Sequence, residues 1–261
     1  MNRRGFALLA ALWLTVALTI VAATALAVGR TGLATSQNRL ALTRAGWAAE
    51  ACQAVLEARY AEHTTVRSLD TIDLGQGVWC TAQLDQPAAR LNLNLASRAQ
   101  LSTLLGSEPL ADTLVARRDR SPLPDPAALV HLPGFDSATV ARLLPFTTTV
   151  GDGRLDLNAA PRELLALVPG FGPEAVEATL ARRATGRPIE SLAALATLLS
   201  PEGQSQLGAV WSTLEHSTAL APTLFEGTFT GGVRGFQVSE ARRTLLVPVG
   251  TRLAVVRRVV E

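Results

Sequence analysis

The chain has 261 residues, 48% of them apolar, with 24 basic side chains against 22 acidic ones and a formal charge of +2. That length and apolar share suffice for one or two domains with real cores, and they exclude a disordered tail. A charge so close to neutral nominates no polyanionic partner, and the fact that every basic residue is Arg points to genome composition more than to function.

The N-terminus comes first in chain order and is the most informative stretch. Phe6 to Val28 is 28 − 6 + 1 = 23 residues without a formal charge, enough for a helix to cross a bilayer core of about 30 Å at about 1.5 Å per residue. Arg3 and Arg4 precede the run and Arg30 follows it. The arginine pair therefore keeps the N-terminus cytoplasmic and sends the remaining residues across, in a bacterium to the periplasm. A cleaved secretory signal has an apolar core of roughly 7 to 15 residues; Ala25-Leu26-Ala27 offers a cleavage site, but the run is too long. A plain membrane anchor is the second reading. The third is a retained helix that continues into a soluble domain. Ala48, Ala51, Cys52, Val55 and Leu56 recur at helical spacing, with Glu50, Gln53 and Glu57 on the other side. Gly29, Gly32 and Gly46 weaken that helix in the middle, each by about 1 kcal/mol relative to alanine, so a bend is expected there.

After the helix, Val66–Leu69 and Val78–Leu84 read as strands around a Gly75-Gln76-Gly77 turn. Thr228–Thr230, Val233–Val238, Thr244–Val249 and Arg252–Val260 read as strands near the other end, with Gly231-Gly232 as a turn. Pro248 marks an edge strand or a strand end. Between these groups, residues 90–216 read as short helices separated by Pro, Gly, Ser and Asp. This stretch contains a repeat: Arg90–Gly106 aligns with Arg154–Gly170 at an offset of 64, with eight of 17 positions identical, Asn94 with Asn158 and Leu101 with Leu165 among the matched pairs. A second echo joins Leu132-Pro-Gly-Phe135 to Val168-Pro-Gly-Phe171.

Together these residues carry a resemblance. A short basic leader ending in Gly5, then Phe6, then a long apolar helix that turns amphipathic resembles the class III signal of type IV pilins and type II secretion pseudopilins. The resemblance implies that a prepilin peptidase cuts between Gly5 and Phe6 and methylates the new Phe6 amine. The major members carry Glu at the fifth mature position, where this chain has Ala10. A carboxylate in an apolar layer is costly unless paired, and a subunit with no neighbour ahead of it needs none. Absence of that Glu, together with the helical segment between two groups of strands, resembles the K-type minor pseudopilin, the general secretion pathway protein K family. That implies an α+β fold: a prepilin leader over residues 1–5, a transmembrane segment over 6–28, the amphipathic helix and first strands of a pilin-like domain over 29–89, an inserted all-α domain of helix-hairpin-helix or SAM-like type over 90–216, and C-terminal strands over 217–261 completing the pilin-like sheet. It also implies a single-pass inner-membrane protein with a periplasmic head, partnered by the I-type and J-type minor pseudopilins, at the tip of the pseudopilus, where it initiates or caps assembly.

One motif supports a different function. Leu167–Val176 has the form of a helix-hairpin-helix, whose exposed helix-start amides hold a phosphate in DNA-binding versions, so the alternative is a membrane-anchored DNA receptor of competence type. Pro173 supplies no N–H there, Glu174 places a negative charge beside the site, and residues 90–216 carry 11 Arg against 13 acidic residues. We therefore expect no nucleic-acid partner. Cys52 on the helix and Cys80 in a strand form either a periplasmic disulfide or two buried thiols. His63, His131 and His216 share no ligand spacing, and neither Asp70–Asp73 nor Asp152–Asp156 has the oxygen density of a calcium loop. No metal, cofactor or catalytic residue is expected: the chain contains no Gly-x-Ser-x-Gly elbow, phosphate loop or paired metal motif.

Overall fold

The computed structural model describes residues 3–259, with side chains described for residues 11–258. Its first element is one unbroken helix, α1 (Arg3–Glu62), about 90 Å long at the rise of an α-helix. The apolar run and the amphipathic stretch are therefore parts of one rod. Among the described residues this is the one helix long and apolar enough to cross a membrane, and its spanning window is entirely unburied. Gly29 and Gly32 lie inside it with nothing near them, so their cost is one of propensity and not enough to interrupt so long a helix.

The strands follow as β1 (Ser68–Gly75) and β2 (Val78–Asp85). After the helical stretch come β7 (Phe225–Val233), β8 (Ser239–Val249) and β9 (Arg252–Val259). These five form one sheet in the order β1-β2-β7-β8-β9. β1 and β2 make an antiparallel hairpin through the Gly75-Gln76-Gly77 turn, where all three residues have positive φ; two glycines make that turn inexpensive. β8 and β9 are also antiparallel, with Pro248 opposite Leu253. β8 is an interior strand, and Pro248 is tolerated one residue from its end.

The strand boundaries differ from expectation: the first strand runs over Ser68–Gly75 instead of Val66–Leu69, and of the strand expected over Val233–Val238 only Val233 is strand, the rest forming the turn between β7 and β8. Gly231 and Gly232 are not a turn: β7 runs straight through them, and the chain reverses at residues 234–235. These glycines are required by packing, as described below.

Between the two groups of strands lie α2 (Arg98–Leu105), α3 (Glu108–Arg120), α4 (Ser137–Leu143), α5 (Arg162–Leu165), α6 (Pro173–Ala184), α7 (Leu192–Ala196), α8 (Pro201–Ala209) and α9 (Trp211–Ser217), joined by 3-10 turns at Pro126–His131 and Leu144–Phe146. Four two-residue strands accompany them: β3 (Leu91–Asn92) pairs in parallel with β4 (Thr147–Thr148), and β5 (Leu155–Asp156) with β6 (Thr218–Ala219). β6 falls within the segment expected to complete the large sheet, yet it pairs with β5 among the helices. Backbone contacts divide the chain into two compact units. The first comprises Met1–Leu56, Ser68–Gln83 and Phe229–Arg242; the second comprises Glu57–Arg67, Leu84–Thr228 and Arg243–Glu261.

Candidate functional site

In the first unit, α1 turns one face inward. Ala41, Ala45, Ala48, Ala49, Cys52 and Leu56 are all at most 2% exposed. Alanines on this face allow the helix to come very close to β7, and a side chain on Gly231 would overlap the Ala45 carbonyl oxygen, the Ala49 amide nitrogen and the Ala48 methyl. Gly232 lies under the Trp79 indole in the same way. The glycine pair thus serves close approach, which a sequence reading based on turn chemistry misses. Arg242 clasps Glu50 of α1 in an ion pair, and Arg234 meets Asp73 at 3.2 Å. Cys52 and Cys80 are joined as a disulfide with Cα atoms 5.9 Å apart, tying α1 to β2.

Gly5 and Phe6, where processing is expected from the sequence, and the Ala10 position fall in the first turns of α1, and their side chains lie outside the described residues.

In the second unit, the helical segment is built of two modules, and the sequence repeat is only their opening. Each begins with an inward Leu-x-Leu strand: Leu93 N donates to Thr148 O and Leu157 N to Ala219 O, both at 2.9 Å. Each then uses one asparagine as a clamp. Asn94 Nδ2 donates to Leu123 O at 3.0 Å while its Oδ1 accepts from Leu123 N at 2.8 Å. Asn158 does the same with Ile189, at 2.9 and 2.7 Å, and also donates to Leu220 O at 2.8 Å. Arg118 donates to the Leu93 and Ala96 carbonyls, and Arg183 to those of Ala159 and Ala160. Arg98 pairs with Asp112 where Arg162 pairs with Glu177. These hydrogen-bonded pairs raise both arginines and hold both carboxyls below their ordinary ranges. Thr147 Oγ1 donates to Leu143 O, and Thr218 Oγ1 to Leu214 O. The matched positions drift from an offset of 64 at the start to 71 at the end, so only the first 17 residues align in sequence without gaps.

One matched pair breaks the symmetry. Asn92 of the first module, whose Nδ2 donates to the Val150 and Gly151 carbonyls, corresponds to Asp156. Asp156 is 1% exposed, accepts from Asn158 N at 2.7 Å and is hydrogen-bonded by Gln86 Nε2. Burial pushes its carboxyl above the usual range despite these donors and the nearby Arg183 and Arg67.

The Leu167–Val176 hairpin is used internally. A side chain on Gly170 would collide with Val210, and one on Gly172 would press on Gln206 Oε1, so both glycines serve close packing against the α8 region. Glu174 caps the start of α8, accepting from Ser200 N at 2.6 Å and Ser200 Oγ at 2.8 Å. His216 Nδ1 lies 2.6 Å from Ser212 O. Among the described residues, no three His, Cys, Asp or Glu side chains converge as a metal site would need. A cleft of about 560 Å³ between the modules is lined mainly by Leu104, Leu105, Leu143, Phe146 and Leu167, with Arg142 and Glu163 in its wall. It offers apolar surface and holds no nucleophile–base pair.

No family model matches the chain, and no curated protein does. Among solved structures, it is similar to one chain of the crystal structure of the GspK–GspI–GspJ complex from the enterotoxigenic Escherichia coli type 2 secretion system. The TM-score is 0.60 at 15% identity, covering 87% of this chain and 98% of that one. Since 13% of 261 residues is about 34, the uncovered part is far shorter than the helical segment, which therefore takes part in the likeness. The fold is thus α+β, with a long apolar N-terminal helix and a helical segment between strands of one sheet, and it is the fold of a component of that secretion complex.

Proposed function

We propose that this chain is a minor pseudopilin of type II secretion, sitting at the tip of the pseudopilus and starting or capping its assembly for protein export across the outer membrane. The observation that carries the reading is the fold likeness over 87% of the chain, joined to a single apolar helix that continues without a break into the folded head. In this reading, Phe6 to Val28 anchors the subunit in the inner membrane before assembly and packs against other pseudopilin helices afterwards. The head lies in the periplasm, and the I-type and J-type minor pseudopilins are its partners. Prepilin peptidase removes residues 1–5 and methylates Phe6. Ala10 leaves the subunit without a carboxylate directed at a subunit above, and the two-module helical segment is bulk that obstructs stacking there. The role is assembly, and no step of chemistry is assigned to the chain.

N-terminal mass analysis of the protein from its own membranes tests this: a chain beginning at methylated Phe6 is expected. A chain beginning at Val28 points to ordinary secretion, and an intact Met1 to a plain anchor; either result overturns the reading. Deleting residues 90–216 tests the steric part, with pseudopili of altered number or length as the expected outcome.

A further inference from the structure

The second module of the helical segment closes a junction that the first leaves open. Gly170, at the end of its first helical turn region, is covered by Val210, which stands between α8 and α9. Gly106 is the matching residue of the first module, 64 positions earlier, and has nothing within 4 Å of the place where a side chain would start. Thr139 holds the position of Val210, at the same offset of 71 that relates Leu143 to Leu214. It lines the apolar cleft of about 560 Å³ together with Leu104 and Leu105, the residues just before Gly106. The cleft is thus the space that an aliphatic side chain fills in one module and that a shorter, polar one leaves vacant in the other.

Its volume falls within the roughly 300–1,000 Å³ of sites that take a ligand, and its charges say what kind. Arg142 of α4 and Glu163 of α5 stand in its wall. Arg142 donates to Thr139 Oγ1 at 3.4 Å. Among the described residues neither Arg142 nor Glu163 forms an ion pair, and Arg162, beside Glu163 in sequence, is engaged by Glu177. An apolar floor edged by a cation and an anion that do not meet each other matches a ligand with aliphatic bulk and one charge of each sign. A lipid with a single anionic head satisfies Arg142 and sets its chain or its charge against the Glu163 carboxylate. A polypeptide segment satisfies both. This chain has no obvious donor of that segment: its exposed aliphatic residues Leu74, Leu95 and Val256 have nearest charged neighbours of one sign, Asp70 and Asp73 for the first, Arg90 and Arg98 for the second, and Arg257 and Arg258 for the third.

We infer that this cleft binds a segment of a different polypeptide, one that places aliphatic side chains over Leu104, Leu105, Phe146 and Leu167 and brackets them with a carboxylate toward Arg142 and a cation toward Glu163. The aliphatic anchor does for the first module what Val210 does for the second, and the two charges set the choice of segment and its direction.

The test uses the full chain in nanodiscs of zwitterionic lipid and three labelled peptides of about 12 residues, each with two leucines a helical turn apart. One carries Glu at one end and Lys at the other, the second Glu at both ends, the third Lys at both. Fluorescence anisotropy is expected to show the mixed peptide binding about tenfold or more tightly than either of the others. Arg142→Glu should transfer the preference to the Lys peptide, and Glu163→Arg to the Glu peptide; both side chains are exposed, so both variants keep the core. Ala166→Trp, on an exposed wall of the cleft, should weaken mixed-peptide binding about tenfold or more, whereas Leu198→Ser, exposed and outside the cleft, should leave it unchanged. Equal binding of the three peptides, a preference that the charge variants do not move, or binding that survives Ala166→Trp overturns the inference. Binding of laurate with none of the peptides overturns it in favour of a lipid, and self-association abolished by Ala166→Trp overturns it in favour of a second copy. None of these measurements involves N-terminal processing, so their failure and that of the proposed function are separately visible.

Discussion

Replacing Asn158 by Asp changes one atom of the clamp in the second module and tests the reasoning behind both clamps. Asn158 makes three hydrogen bonds to backbone groups: two donated to Ile189 O and Leu220 O, and one accepted from Ile189 N. Ile189 is 1% exposed, so water does not replace what is lost there. Truncation to Ala removes all three, a loss of about 2–4 kcal/mol at about 1 kcal/mol per bond and with buried partners left unpaired. Asp keeps the acceptor but points its second oxygen at two carbonyls. The neutral acid still donates to one of them, whereas the carboxylate donates to neither and is repelled by both. Its pKa in the folded chain is therefore raised above the unfolded value. A carboxyl raised in this way favours folding below its unfolded pKa and loses that contribution as pH rises through the folded one. The Asp variant should fall short of the native chain by about 1 kcal/mol near pH 4 and by about 3 kcal/mol near pH 8, while the deficit of the Ala variant stays flat. Hydrogen exchange read peptide by peptide across β5 and α6, referenced to the native chain at each pH, measures both. An Asp variant as stable as Asn, or one whose deficit does not grow with pH, would refute the clamp.

Three further outcomes follow from particular contacts. Gly231→Ala forces a methyl into the backbone of α1 and should cost at least about 1–3 kcal/mol in thermal unfolding, whereas Gly29→Ala, in open space on the same helix, should be neutral or stabilising by up to about 1 kcal/mol; similar effects at the two sites would remove the close-approach argument. The Cys52–Cys80 bridge spans 28 residues in sequence, which a chain-entropy estimate converts to about 3–4 kcal/mol, so replacing both by Ser should lower the denaturant midpoint accordingly, and an unchanged midpoint under oxidising conditions would contradict it. Asp156 has its folded pKa raised above 3.8, so its contribution to stability is present below about pH 4 and lost as pH rises. Asp156→Asn, the residue found at the matching position of the first module, should stabilise the chain more at neutral than at acid pH, with melting curves at the two pH values as the measure.

The sequence made some of this legible for physical reasons. An uncharged run long enough to cross a bilayer has few competing explanations, so the first part of α1 was readable, and the helical spacing of Ala48 to Leu56 announced the later part; the glycines between them suggested a weakened middle, yet the helix runs on unbroken. The pair of glycines in the Gly75-Gln76-Gly77 turn announced the first hairpin, since both tolerate positive φ. Gly231-Gly232 misled because glycine is used both where the backbone must turn and where a neighbouring backbone must come close, and only the neighbour distinguishes them. Leu91, Leu93, Asn94 and Arg98 revealed the repeat because no insertion separates them from their counterparts. The equivalence of Arg118 with Arg183, or of Thr147 with Thr218, was hidden because the intervening loops differ in length. Asp156 read as one of several loop aspartates, and nothing short of its burial against Gln86 and β6 sets it apart.

Because β3 closes on β4 and β5 closes on β6, each module ties its own first residues to its own last. A segment whose two ends meet can be lengthened by whole copies, or shortened by one, while the strands on either side of it keep their neighbours. The number of modules can thus vary stepwise while the five-stranded sheet keeps its order.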